Sequence, residues 1–177
     1  MAQSRQLLVA GLDAMKRENF EEAETLLIAA FQAYPEGDDG RRTASIWLGK
    51  VYRQTGRYEE ALHVLERGLP FPAAFQELVS ICRFLGKAAK KDGDAVNQAE
   101  WYRRMFSLAM IYAGVMNMRM PHMATVVDWK GAENWLQEIR RQHGSLYAYQ
   151  FEGQEVPEDT LLSAADYKVL RSHLTID

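Results

Sequence analysis

Five side chains within residues 116–123 have the chemistry to hold a soft metal: Met116, Met118, Met120, His122 and Met123. Thioethers beside an imidazole suit Cu(I). Methionine is also unbranched and polarisable, so it fills irregular cores and adaptable interfaces. No second such box occurs, so packing is the reading taken, with no metal and no cofactor. The other reactive residues are scattered. His63, His122, His143 and His173 form no H-E-x-x-H pair, and no G-x-S-x-G, phosphate loop or dinucleotide fingerprint is present. The single Cys82 closes the apolar run Leu78-Val79-Ser80-Ile81-Cys82, which suits a buried small hydrophobe better than a nucleophile. Glu59-Glu60 reads as part of a solvated face. These residues point to a binding protein rather than an enzyme. An enzyme or metal site carried by the C-terminal segment is the alternative from another class.

The 177 residues are 47% hydrophobic and 25% charged, apolar enough to build a core. No stretch approaches the roughly 18 apolar residues of a membrane helix, so no membrane partner is expected. The N-terminus leads straight into an amphipathic segment without the apolar block of a secretory signal, and a cytoplasmic address is expected. A net charge of −3 argues against nucleic acid as a partner. Residues 41–91 nevertheless carry ten basic side chains against four acidic ones, a local excess that needs its own explanation.

Small residues recur at one period. Ala23, Ala61 and Ala99 stand 38 and 38 apart, and Gly11, Gly49 and Gly86 stand 38 and 37 apart. Such positions mark places where two helices approach closely and a larger side chain would hold them apart. The clearest unit reads Leu48-Gly49-x-x-Tyr52, Gly56, Tyr58, Ala61 and Leu65. It resembles the tetratricopeptide repeat signature, with Ser45 in place of the leading Trp and Trp47 nearby. Leu7, Gly11, Ala14, Phe20, Ala23, Leu27, Ala30 and Pro35 form a weaker first unit. Leu85-Gly86, Gly93 and Ala99 mark a third. Turns are expected at Asn19, Gly56 and Gly93-Asp94, with the period lengthened at Gly37–Gly40 and Pro70–Pro72.

The resemblance implies an all-α solenoid of about three helix–turn–helix units over residues 1–115. Residues 116–177 then form a C-terminal cap or a small appended module. A long helix is expected over 95–118, ended by Pro121. A second should run from about 129 to 143, capped by Asp128 and stopped by Gly144. Alternation of Tyr147, Tyr149 and Phe151 suggests a short strand or hairpin at 146–151. Ser163–Asp166 resembles a capping box opening a last helix to about Leu174.

The resemblance further implies that the first helix of each repeat lines a concave groove. The face left over by the core landmarks carries Leu8, Leu12 and Met15 in the first unit. In the second it carries Ile46, Lys50 and Arg53, and in the third Arg83, Lys87 and Lys90, with Lys91 beside them. Such a groove suits a partner peptide with an apolar anchor followed by acidic residues. Some family members grip a C-terminal carboxylate with Lys, Asn and Arg, but Leu8 and Leu12 stand where the Lys and Asn of the first repeat are expected, so that mode is not the one expected here. The function expected is that of an adaptor or chaperone for another protein. A chaperone of the type III secretion kind is the nearer alternative. A second copy of the chain is a further candidate partner, through Trp, Tyr and Met of the tail.

Overall fold

The computed structural model describes residues 2–149 and residue 162. Seven α-helices appear among them: α1 (Ala2–Lys16), α2 (Phe20–Ala33), α3 (Asp39–Gln54), α4 (Tyr58–Leu65), α5 (Pro72–Lys91), α6 (Ala95–Asn117) and α7 (Trp129–His143). A two-stranded hairpin of β1 (Arg119–Met120) and β2 (Met123–Val127) lies between α6 and α7. The expected capping box at 163–166 and the helix to Leu174 lie outside the described residues, as does Phe151. The chain divides into two compact units within α5, one ending at Glu77 and the other beginning at Leu78.

One backbone device closes the first helix of each pair. Glu18, Gly56 and Gly93 take positive φ values of 57°, 76° and 73°. The next residue then donates its N–H five positions back, Asn19 to Ala14, Arg57 to Tyr52 and Asp94 to Ala89, at 2.8–3.0 Å. This is the hydrogen-bond pattern of a Schellman stop. The same residue begins the second helix. The Asn19 side chain accepts from the N–H of Glu22, and that of Asp94 from Asn97. Arg57 has no capping acceptor and binds Glu60 instead.

The first unit, residues 1–77, holds two helical hairpins, with α1 packed on α2 and α3 on α4. In both, a glycine of the first helix faces a leucine sixteen positions later. A Cβ on Gly11 would stand 2.8 Å from Leu27 Cγ, and one on Gly49 would stand 2.5 Å from Leu65 Cδ2. Ala23 and Ala61 are fully buried on the second helices. Ser45, where the family signature has its Trp, is buried and donates to the Arg42 carbonyl at 2.8 Å. The first inter-repeat loop is shorter than the sequence suggests. Asp38 caps α3 through the Gly40 N–H at 2.7 Å, so Gly40 lies in the helix rather than in the loop.

In the second unit, from Leu78, Gly86 repeats the device against Tyr102, again sixteen positions on, with a looser approach of 3.2 Å. The long helix α6 and the limits of α7 agree with expectation. Asp128 accepts from Gly131 N–H, and Gly144 ends α7 at φ 75°. The strand expected at 146–151 is a correction. Residues 146–148 form a 3-10 turn, because α6 captures the carbonyls that a strand would need. Arg103 donates to Tyr147 O at 2.7 Å, and Ser107 Oγ donates to Tyr147 O and Tyr149 O at 3.2 and 2.9 Å. The hairpin occurs instead at 119–127, with Pro121 and His122 in its turn.

Candidate functional site

The residues expected to line a groove divide into three groups. Leu8 and Ile46 do not belong to an exposed face, at 9% and 5% exposed. Leu8 shares the buried side of α1 with Ser4 and Gly11. Ile46 packs over Gly68, where a Cβ would meet its Cγ1 at 2.6 Å. Helical spacing placed both beside surface residues. However, spacing does not show what a face meets: Leu8 falls on the side of α1 buried with Gly11, and Ile46 on the side of α3 that meets the turn after α4.

Lys50 and Arg53 are half-buried and already engaged. The Lys50 ammonium stands 4.1 Å from the centroid of the Trp47 ring, a cation–π contact. Arg53 Nε lies 3.1 Å from Glu77 Oε2, an ion pair across α3 and the first turns of α5. Leu12 and Met15 remain half-exposed on α1, and Lys87 and Lys90 are exposed on the last two turns of α5 with Arg83 half-buried. Lys87 and Lys90 are one turn apart, so they share a face.

The candidate soft-metal residues lie on and beside the hairpin. Met120 pairs across the strands with Met123, and both are exposed, as is His122. No group of three or more His, Cys, Asp or Glu stands in metal-holding geometry among the described residues. Cys82 is fully buried, and burial pushes its thiol pKa up to about 12. A thiolate is therefore disfavoured, as expected for a packing residue.

Sequence reading passed over the outward side of the first unit. Arg57 stacks on the Tyr52 ring at 4.3 Å and reaches Glu24 Oε2 of α2 at 2.7 Å. It also holds Glu60 with two donors at 2.6 Å. Arg41 and Arg67 lie 4.3 and 5.7 Å from the centroid of Phe31. Between these contacts is a cavity of about 380 Å³, with Phe31, Leu48, Tyr52 and Val64 as its apolar lining. No signal within either helix marks this surface, since Glu24 meets Arg57 and Phe31 meets Arg67 only across the packed helices.

Arg57 holds the Glu60 carboxyl below its ordinary value of 4.5, chiefly by hydrogen bonding. Burial, and next the Glu24 carboxylate, hold the Tyr52 phenol above its own. A carboxyl whose pKa is lower folded than unfolded stabilises the fold fully above the unfolded value. That contribution is lost as pH falls through the folded value. Wild type should therefore be more stable than Arg57→Met at pH 6, and the gap should close well below pH 4.5. Thermal melts of both proteins between pH 6 and pH 2.5 measure it, and a gap constant with pH would refute the assignment.

Helical hairpins with glycine–leucine contacts at one period define a helical repeat protein. Residues 6–71 match the tetratricopeptide repeat family model, and this stretch, from α1 to the turn before α5, is a tetratricopeptide repeat array. No curated protein and no solved structure shows significant similarity to the chain. Tetratricopeptide repeats generally mediate protein–protein interaction and form a typically non-enzymatic scaffold. Among the described residues, no helix is long and apolar enough to cross a membrane.

Proposed function

We propose that the protein is an adaptor or chaperone that holds a segment of another protein. The observation that carries this reading is the tetratricopeptide array over residues 6–71. Two surfaces support it, one in each unit. On α1, Leu12 and Met15 offer half-exposed apolar side chains to an apolar anchor. On α5, Lys87 and Lys90, both exposed, offer positive charge to acidic residues. The sequence alone suggested nine contact residues. The proposal rests on Leu12, Met15, Lys87 and Lys90, since Leu8 and Ile46 are core and Lys50, Arg53 and Arg83 are already engaged.

The test is capture of partners from native lysate on immobilised protein, with Lys87→Glu/Lys90→Glu alongside. An acidic partner should be retained at low salt and released as salt screens the contact. It should bind the variant about tenfold more weakly, the scale expected for two reversed rim charges. Equal capture by both proteins would remove α5 from the site. A chaperone would in addition co-purify with one client whose solubility depends on it, whereas an adaptor would not.

A further inference from the structure

The outward side of the first unit carries a groove with a defined direction. Its lining comes from α2, α3, α4 and the 3-10 turn Glu66–Gly68 that follows α4, and none of it from α1. Two contacts bound it. At one end Arg57, at the start of α4, meets Glu24 in the second turn of α2. At the other end Arg67, just past α4, lies against Phe31 in the last turn of α2. The two outer helices therefore run the same way, and α3 closes the floor between them with Leu48 and Tyr52, both buried.

Charge is graded along this groove. The end where α2 and α4 begin carries Glu24, Glu59 and Glu60 around the single Arg57. Glu59 is exposed there, as are Glu60 and, further along, His63. The end where they finish carries Arg41 and Arg67. Arg41 donates to the Tyr34 carbonyl at 3.0 Å, so one guanidinium at this end is fixed in place. Between the two ends the cavity is apolar and, at about 380 Å³, takes one large side chain.

We propose that this groove docks an amphipathic helix of a partner protein, with its order of charges specified. A large apolar anchor enters the cavity over Phe31 and Val64. An acidic residue on the anchor's N-terminal side meets Arg67 and Arg41, and a basic residue on its C-terminal side meets Glu59 and Glu60. The helix lies antiparallel to α2 and α4. That order also agrees with a helix's own dipole, which favours acids in the first turn and bases in the last. From Glu60 to Arg67 the chain advances seven positions, about 11 Å at helical and 3-10 rises. The partner's acid and base should thus stand about two turns apart, with the anchor between them. The site is independent of the surfaces proposed on α1 and α5.

The probe is a fluorescein-labelled, alanine-rich helical peptide of about sixteen residues, long enough to be partly helical alone. It carries a glutamate, a tryptophan four positions later and a lysine three positions after that. A second peptide exchanges the glutamate and lysine. Binding to the full chain is read by fluorescence anisotropy. The first peptide should bind about tenfold more tightly than the second, and Glu59→Lys/Arg67→Glu should invert that preference. Both substituted positions are exposed, and a thermal melt confirms that the variant folds. Lys87→Glu/Lys90→Glu should leave both affinities unchanged. Equal binding of the two peptides, no binding of either, or a preference that survives the charge exchange would overturn the proposal. Sensitivity to the α5 variant alone would move the peptide to the other surface.

Discussion

Gly49→Val should be among the most damaging single changes in the first unit, costing about 3 kcal/mol or more. For a unit of this size that corresponds to a drop in melting temperature of about 12–24 °C. A β-carbon at this position would stand 2.5 Å from Leu65 Cδ2 and closer still to its Cγ. Leu65 is fully buried, so it has no space to retreat into, and α3 and α4 must separate. Two comparisons identify the mechanism. Gly56→Ala has nothing within 4 Å of its new methyl but sits at φ 76°, so it should cost only the roughly 1–2 kcal/mol of a left-handed backbone. Gly49→Val combined with Leu65→Ala should be less harmful than the two single effects added together, because the cavity left by the leucine receives the valine. Urea unfolding followed by circular dichroism of wild type, the three single variants and the double variant measures this. Strict additivity would mean that helix propensity, not close approach, explains the glycine.

In the second unit, Trp135 and Gly114 should behave as one element. The far edge of the indole occupies the space over Gly114, where a Cβ would come within 2.7 Å of Cζ3. The ring also meets Tyr149 edge-on, with centroids 5.9 Å apart. This contact joins α7 to α6, alongside the buried residues Ala132, Leu136 and Ile139 of α7. Trp135 is only half-buried, so Trp135→Ala should cost about 3 kcal/mol, the lower end for a large aromatic truncation. Gly114→Val should cost a similar amount by displacing the ring. Gly114→Val with Trp135→Ala should cost clearly less than the sum, a coupling of about 1–2 kcal/mol. Denaturant unfolding of the four proteins of the cycle tests this. Independent effects would show that the ring is held by Tyr149 alone.

Repeats were legible because close helix packing constrains residue size at fixed places. Gly11, Gly49 and Gly86 could be aligned before any partner was known, and each faces a residue sixteen positions later. Helix ends were legible for an equally local reason. Asn19, Asp94 and Asp128 satisfy N–H groups three residues away, and Gly56, Gly93 and Gly144 supply the positive φ that stops a helix. The strand expected from alternating aromatics failed because its competitor was remote. Arg103 and Ser107, some forty residues upstream, hold the carbonyls of Tyr147 and Tyr149.

The candidate site was less legible than the fold. Helical spacing shows which residues share a face but not what that face meets. Leu8 and Leu12 are neighbours on α1, yet the first is buried and the second half-exposed. Arg53 resembled a free cation until Glu77, twenty-four positions on, proved to be its partner. The groove between α2 and α4 has no signature within either helix. It arises because Glu24 meets Arg57 and Phe31 meets Arg67 across a gap that α3 floors. Sequence alone therefore determined the repeat, the turn within each helix pair and the limits of α6 and α7, since these depend on size and hydrogen bonding within a few residues. Which charges are occupied, which apolar residues are core and where a cavity opens were decided by tertiary structure, because each depends on side chains brought together from distant turns.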